Sequence, residues 1–331
     1  MRAFLALIAA AWLLFPAGSS AGPSAAAGHR LETVHLPGAA FGGLGRDGDA
    51  LLVTDLASGR LLRRNAEGGF VAFGPVFPHG LDVIGDPTGP YRVLRHRDGF
   101  LVAQGWTPVN SSEGSLDHSL VFLDSAGKTR VISNEFWNPF DLVAAESGFY
   151  VVDAARNSVD HVGFDSAKRE VVTFRRLAQR ANTMQSLSPT EFRAGGEYEV
   201  DAVPTGIALR DGRLYVALFG GFPFMPGAGR VVSLPRSGGS PELRIEADGL
   251  NAPVAIAFDG AGGMLVLEHG SYDQKEGFQQ GSGRLLMLDR KTGERSAVIE
   301  GLTRPVSMLI WDEGEIVISD LSGNLHFLHR E

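Results

Sequence analysis

The chain has 331 residues, 44% of them hydrophobic, which is enough for a large core, and its formal charge of −8 comes without the clustered Lys and Arg that nucleic-acid binding needs. It has no cysteine, which excludes a disulfide framework, a lipoprotein anchor, a thiolate nucleophile and Cys-ligated zinc or iron–sulfur. Its 43 glycines follow no collagen period and separate many short apolar runs, the composition of a turn-rich all-β protein.

At the N-terminus, Arg2 precedes the apolar run Ala3–Phe15 and a small-residue tract, Ala17–Gly28. This is the layout of a secretory signal peptide. The run is too short for a membrane span, which needs about 20 residues, so export and cleavage within Gly18–Gly28 are expected. Residues 1–27 are read as the signal peptide and 28–331 as one domain, periplasmic or extracellular, monomeric and with no membrane span after cleavage.

One unit then recurs: a proline, a short apolar strand, a turn with glycine, a second strand ending near an acidic residue, a loop, and a third strand. Copies begin at Pro90, Pro139, Pro204, Pro253 and Pro305, with a looser one after Pro37. The prolines from 90 onward are 49 to 65 residues apart, room for a four-stranded blade of about 40 to 50 residues plus loops. Six copies predict a six-bladed β-propeller. The last copy stops after its third strand, Asn324–Arg330, and Leu31–Leu36 is expected to supply the missing strand and close the ring. The pairs Asp47-Gly48, Asp98-Gly99 and Asp211-Gly212 fall where hairpin turns need positive φ.

The segments GPYRVLRHRDGFLVAQGW, NPFDLVAAESGFYVVDAARNSV and VPTGIALRDGRLYVALFGGFPFMPGAGRVVSL resemble the ScyD/ScyE family of propeller proteins associated with scytonemin pigment biosynthesis. YVVDAARNSV more distantly resembles the NHL repeat. The resemblance covers about residues 36–330 and implies a six-bladed propeller outside the cytoplasm; it carries no set of catalytic residues.

Long inserts, Gln104–His118, Ala217–Gly229, Glu268–Gly283 and Ala178–Val203, all fall on one face of such a ring, which makes that face the expected place for a ligand or partner. Trp106, Phe219, Phe222, Phe224 and Met225 would form an aromatic patch there beside the axis of the ring, or fold down to cover the end of the core, and Arg304 is a further candidate ligand contact. Second-strand ends carry Asp55, Gln104, Asp153, Glu268 and Asp320, and Asn138, Asp141 and Arg304 lie at or near the starts of first strands.

An oxygen-rich ring of this kind could hold calcium or magnesium, with His269 as acid or base beside Glu268. The same Asp and Asn residues also suit turn stabilisation, as the spacings Asp153/Asn157 and Asp320/Asn324 suggest. The Glu-Gly-Pro start and spaced Asn and Asp ligands of gluconolactonase-like propellers are missing. Nucleophile-elbow and dinucleotide motifs are absent as well. The expectation is a secreted propeller binding a small molecule or partner protein on its elaborated face. A divalent-metal hydrolase, lactonase or lyase at the central opening is the alternative. A sugar or quinoprotein oxidoreductase would need a cofactor site that the sequence does not display.

Overall fold

Continuous apolar runs such as Phe100–Ala103 and Leu214–Leu218 become second strands buried on both faces, because successive side chains point to opposite sides of a sheet. In blade 2, Phe100 and Val102 pack towards blade 1, whereas Leu101 and Ala103 pack towards blade 3. The computed structural model describes residues 22–82, 84–107, 116–180, 197–236, 242–312 and 314–331. These contain strands and no helix.

Six antiparallel sheets form the blades. From the inner strand outward, blade 1 is Phe41–Asp47, Ala50–Asp55, Arg60–Arg64 and Phe70–Phe73, and blade 2 is Pro90–His96, Gly99–Gln104, Ser119–Leu123 and Thr129–Ser133. Blade 3 is Pro139–Ala145, Gly148–Asp153, Ser158–Gly163 and Lys168–Thr173; blade 4 is Pro204–Arg210, Arg213–Leu218, Gly229–Pro235 and Arg244–Leu250. Blade 5 is Pro253–Phe258, Met264–Glu268, Gly283–Leu288 and Arg295–Leu302. Blade 6 is Pro305–Asp312, Glu315–Asp320, Asn324–Arg330 and, outermost, His29–His35. Inner strands of neighbouring blades pack in a closed circuit, and one apolar cluster fills each of the six junctions.

The N-terminal strand closes the ring as expected, in unbroken register from His29↔Arg330 to His35↔Asn324. Unforeseen is Ser24–Ala25, a fifth strand on the outer edge of blade 5, paired with Glu300 and Ile299. Most of the expected signal segment, residues 1–21, lies outside the described residues.

Two turn assignments shift. Only Asp211-Gly212 forms the expected two-residue turn, with φ of 49° and 70°. In blade 1 the turn is Gly48-Asp49, and in blade 2 it is Arg97-Asp98, with Gly99 already paired to His96. Gly99 is needed for space: a Cβ there would lie 2.3 Å from the carbonyl oxygen of Leu123.

Every inner strand is bulged at its start. The residue after the proline, Tyr91, Phe140, Thr205, Val254 or Val306, has no partner in the ladder, and blade 1 skips Gly42 and Gly43 instead. A bulge re-aims its side chain. Phe140 stacks on Tyr91 at 4.5 Å and also packs against clusters from blades 3 and 4 and from blades 5 and 6, so it plugs the axis. Beneath it Arg92 spans the ring, pairing with Asp141 at 3.2 Å and donating to Ser307 Oγ at 3.3 Å.

Candidate functional site at the axial mouth

Six equivalent hydrogen bonds frame one end of the axis. The residue after each second strand donates its N–H to the carbonyl of the residue preceding the inner strand: Leu56 to Ala40, Gly105 to Gly89, Ala154 to Asn138, Phe219 to Val203, His269 to Ala252 and Leu321 to Arg304. Of these twelve positions only His269 and Arg304 carry ionisable side chains, and they belong to adjacent blades. The repeat thus serves as an internal alignment, and the two departures from it meet.

His269 Nδ1 lies 2.9 Å from the Pro305 carbonyl, which can only accept, so Nδ1 carries the proton. Its Nε2 receives the Nε–H of Arg304 at 3.5 Å. Burial and then the Arg304 charge lower the imidazole pKa to about 3, so the ring is neutral. Arg304 has a left-handed backbone, φ 53°, and ion-pairs with Asp86. Burial raises the Asp86 pKa; Arg304 opposes this and Asp82 adds to it. The same two carboxylates, after burial, push the Tyr91 hydroxyl up.

Asp86 comes from an insert missed in the sequence. The segment between blades 1 and 2 forms a short hairpin, Gly80–Leu81 with Pro87–Thr88, which reaches over the mouth to blade 6. Hairpins at Leu177–Arg180 with Glu197–Val200 and at Tyr272–Asp273 with Gly277–Phe278 lie in two of the expected inserts. Residues 181–196 of the Ala178–Val203 insert and 108–115 of the Gln104–His118 insert lie outside the described residues.

The aromatic patch is present with altered membership. Phe219, Phe222 and Phe224 join Tyr272, Phe278 and the His269 ring in a continuous network, with centroids 4.5 to 6.3 Å apart. The rings meet mainly edge to face, a favourable arrangement of their quadrupoles. Arg304 sits over Phe278 at 5.9 Å. Phe222 is 51% exposed, Phe219, Phe224, Tyr272 and Phe278 are half-buried, and Met225 is buried. Trp106 is not a member: it follows the second strand of blade 2, its backbone N–H donates to Asn138 Oδ1 at 3.0 Å, and no ring contact joins it to the network among the described residues. Tyr272 and Phe278 were legible within the insert EHGSYDQKEGFQQGSG; Asp86 was not, because its hairpin has no counterpart in the repeat.

The carboxylates of the oxygen ring are engaged by the chain itself, whereas Gln104 Oε1 is buried with no hydrogen-bond partner among the described residues. Asp55 accepts from the N–H groups of Ala40 and Ala57, and from Ser58 Oγ. Asp153 accepts from Trp137 at 2.7 Å, Asn138 at 2.9 Å and Arg156 at 3.2 Å. Asp320 accepts from Ser322, Asn324 and His326, and Gln104 donates to the Pro78 carbonyl. Glu268 accepts from Asn251 N–H at 2.8 Å and pairs with Arg284, so its partners differ from those of His269 and the two form no acid–base pair. Asp141 is half-buried against Arg92 and the Ile207 and Leu142 N–H groups, below the mouth. Calcium takes about six to eight oxygen ligands and magnesium about six. Among the described residues no three His, Asp or Glu side chains gather for a metal. In this structure the Asp55, Asp153 and Asp320 carboxylates clamp backbone N–H groups where strands meet.

No protein-family model matches the chain, and no curated protein sequence matches it. Solved structures do resemble it. A gluconolactonase, XC5397 from Xanthomonas campestris, superposes with a TM-score of 0.61 at 12% identity over 92% of this chain and 90% of that one. A streptogramin B lyase gives 0.56 at 12% identity over 92% and 98%, and a luciferin-regenerating enzyme 0.57 at 10% identity over 91% and 95%. At these identities the likeness establishes a six-bladed propeller fold and does not single out the ScyD/ScyE family.

Proposed function

We propose that this protein is an exported propeller that binds a small molecule with a flat apolar body against the aromatic shelf at the axial mouth. The carrying observation is the network of Phe219, Phe222, Phe224, Tyr272 and Phe278, left partly exposed beside the lone Arg304–His269 pair. Large apolar side chains kept at a surface next to a few fixed polar groups are the usual make-up of a ligand site. Phe140 and Arg92 close the axis below, so a ligand would enter and leave by the same face. Export rests on the N-terminal sequence pattern, and kinship with ScyD/ScyE proteins rests on the three segments quoted above. A thermal-shift screen of small apolar molecules tests the proposal: hits should stabilise the wild type and lose most of that effect in Phe224→Ala. Hits unaffected by substitutions throughout the shelf would refute it.

The fold neighbours favour a second reading, because their names include a gluconolactonase and a streptogramin B lyase. Such chemistry here would turn on Asp86 rather than on His269, whose lowered pKa makes it too weakly basic to take up a proton. Turnover of a screened ligand that Asp86→Asn abolishes while leaving binding intact would favour the enzyme.

A further inference from the structure

The proposed shelf leaves open what Arg304 is for. The blade framework does not require it, since Ala40, Gly89, Asn138, Val203 and Ala252 perform the same backbone role in the other blades. Its guanidinium is set instead by three contacts around the mouth: the Phe278 ring, His269 Nε2 and the carboxylate of Asp86. His269 is held as the acceptor tautomer by Pro305, so it orients the guanidinium without contributing charge.

Asp86 is the part that can leave. It stands on a hairpin with two residues per strand, at whose tip Leu81, Ile84 and Gly85 are exposed. Asp82 Oδ1 accepts from the N–H groups of Ile84 and Asp86, which fixes the turn and keeps a second carboxylate beside the first. Burial first, and the Asp82 charge after it, disfavour an ionised Asp86, against the pull of Arg304.

We propose that Arg304 is the recognition cation for a carboxylate on the shelf ligand, and that Asp86 is a placeholder which the ligand carboxylate displaces. The inference rests on the aromatic-shelf reading and names its ligand class: a flat apolar body joined to a carboxylate. The fork of a guanidinium matches a carboxylate, and the Phe278 face under it is continuous with Phe224 and Phe219, so head and body would be read side by side.

Calorimetric titration with 3-phenylpropionate and its amide tests this in wild type, Asp86→Asn, Arg304→Gln and Phe224→Ala. The acid should bind at least about tenfold tighter than the amide, the size of a charge-assisted contact. Asp86→Asn should tighten the acid and leave the amide unchanged. Arg304→Gln should remove the preference for the acid. Should Arg304→Gln fail to fold, Asp86→Asn decides alone: unchanged or weaker binding of the acid overturns the placeholder. Equal binding of acid and amide, both lost in Phe224→Ala, overturns the carboxylate but preserves the shelf. Binding of neither probe overturns this inference, and the independent thermal-shift screen then judges the shelf.

Discussion

Arg304 donates from Nε to Nε2 of His269 across the junction between blades 5 and 6, and the imidazole can accept only because Nδ1 gives its proton to Pro305. One backbone carbonyl thus sets the tautomer, the tautomer sets the direction of the guanidinium, and both side chains occupy positions that are otherwise non-ionisable around the mouth.

This relationship makes stability depend on pH with a definite sign. His269 has a depressed pKa, about 3 against 6.5 when unfolded, so the unfolded chain binds a proton that the folded chain refuses between those values. Its contribution is complete above pH 6.5 and is lost as pH falls towards 3, by up to about 1.4 kcal/mol per pH unit. Asp86, Asp141 and Asp160 have raised pKa values and act in the opposite sense, losing stability as pH rises above 3.8. The diagnostic is therefore the difference between wild type and His269→Gln in urea unfolding. The wild type should lose stability relative to the variant as pH falls through this window, and a flat difference would contradict a neutral buried His269.

The carboxylate clamps predict a structural penalty. Asp153 is fully buried and accepts from three backbone N–H groups at the junction of inner strand, second strand and turn. Asp153→Ala strands those donors and should cost roughly 2 to 4 kcal/mol. Urea denaturation should show this with or without added calcium. If calcium stabilised the wild type strongly and the variant not at all, Asp153 would be a ligand after all.

Ring closure depends on the N-terminal segment. Thr33 Oγ1 meets His326 Nδ1 at 2.9 Å and His35 meets Asn324 at 2.9 Å across the seam. Deletion through Leu36 should bare the edge of Asn324–Arg330 and produce oligomers or aggregates by light scattering. A chain starting at Gly28 keeps the seam but loses Ser24–Ala25, and should keep the oligomeric state of the longer chain with a slightly lower Tm. On the proposed export, the docking of Ser24–Ala25 on blade 5 calls for cleavage before Ser24, which N-terminal mass spectrometry of the secreted fraction would test.

The propeller was legible because five of the six blades start with Pro and all repeat one strand order, and a repeat averages out local error. The mouth was only half legible. Tyr91 and Phe140 follow repeat prolines, yet the bulge that turns them onto the axis arises from pairing between strands and leaves no mark on either strand alone. Asp86 meets Arg304 from 218 positions away in the chain, a contact that no spacing rule anticipates. Asp55, Asp153 and Asp320 were visible as acids at strand ends; ligand and clamp differ only in which N–H groups lie opposite, and the fold decides that.

The most direct measurement is fluorine NMR of protein carrying fluorinated phenylalanine, titrated with a ligand from the thermal-shift screen and assigned by single substitutions. Binding at the mouth should move the resonances of Phe219, Phe222, Phe224 and Phe278 and leave those of Phe73, Phe100 and Phe327 in place. The latter three line grooves between blades 1 and 2 and between blades 6 and 1. Movement confined to Phe73, Phe100 or Phe327 would place the ligand between blades and contradict a site at the axial mouth.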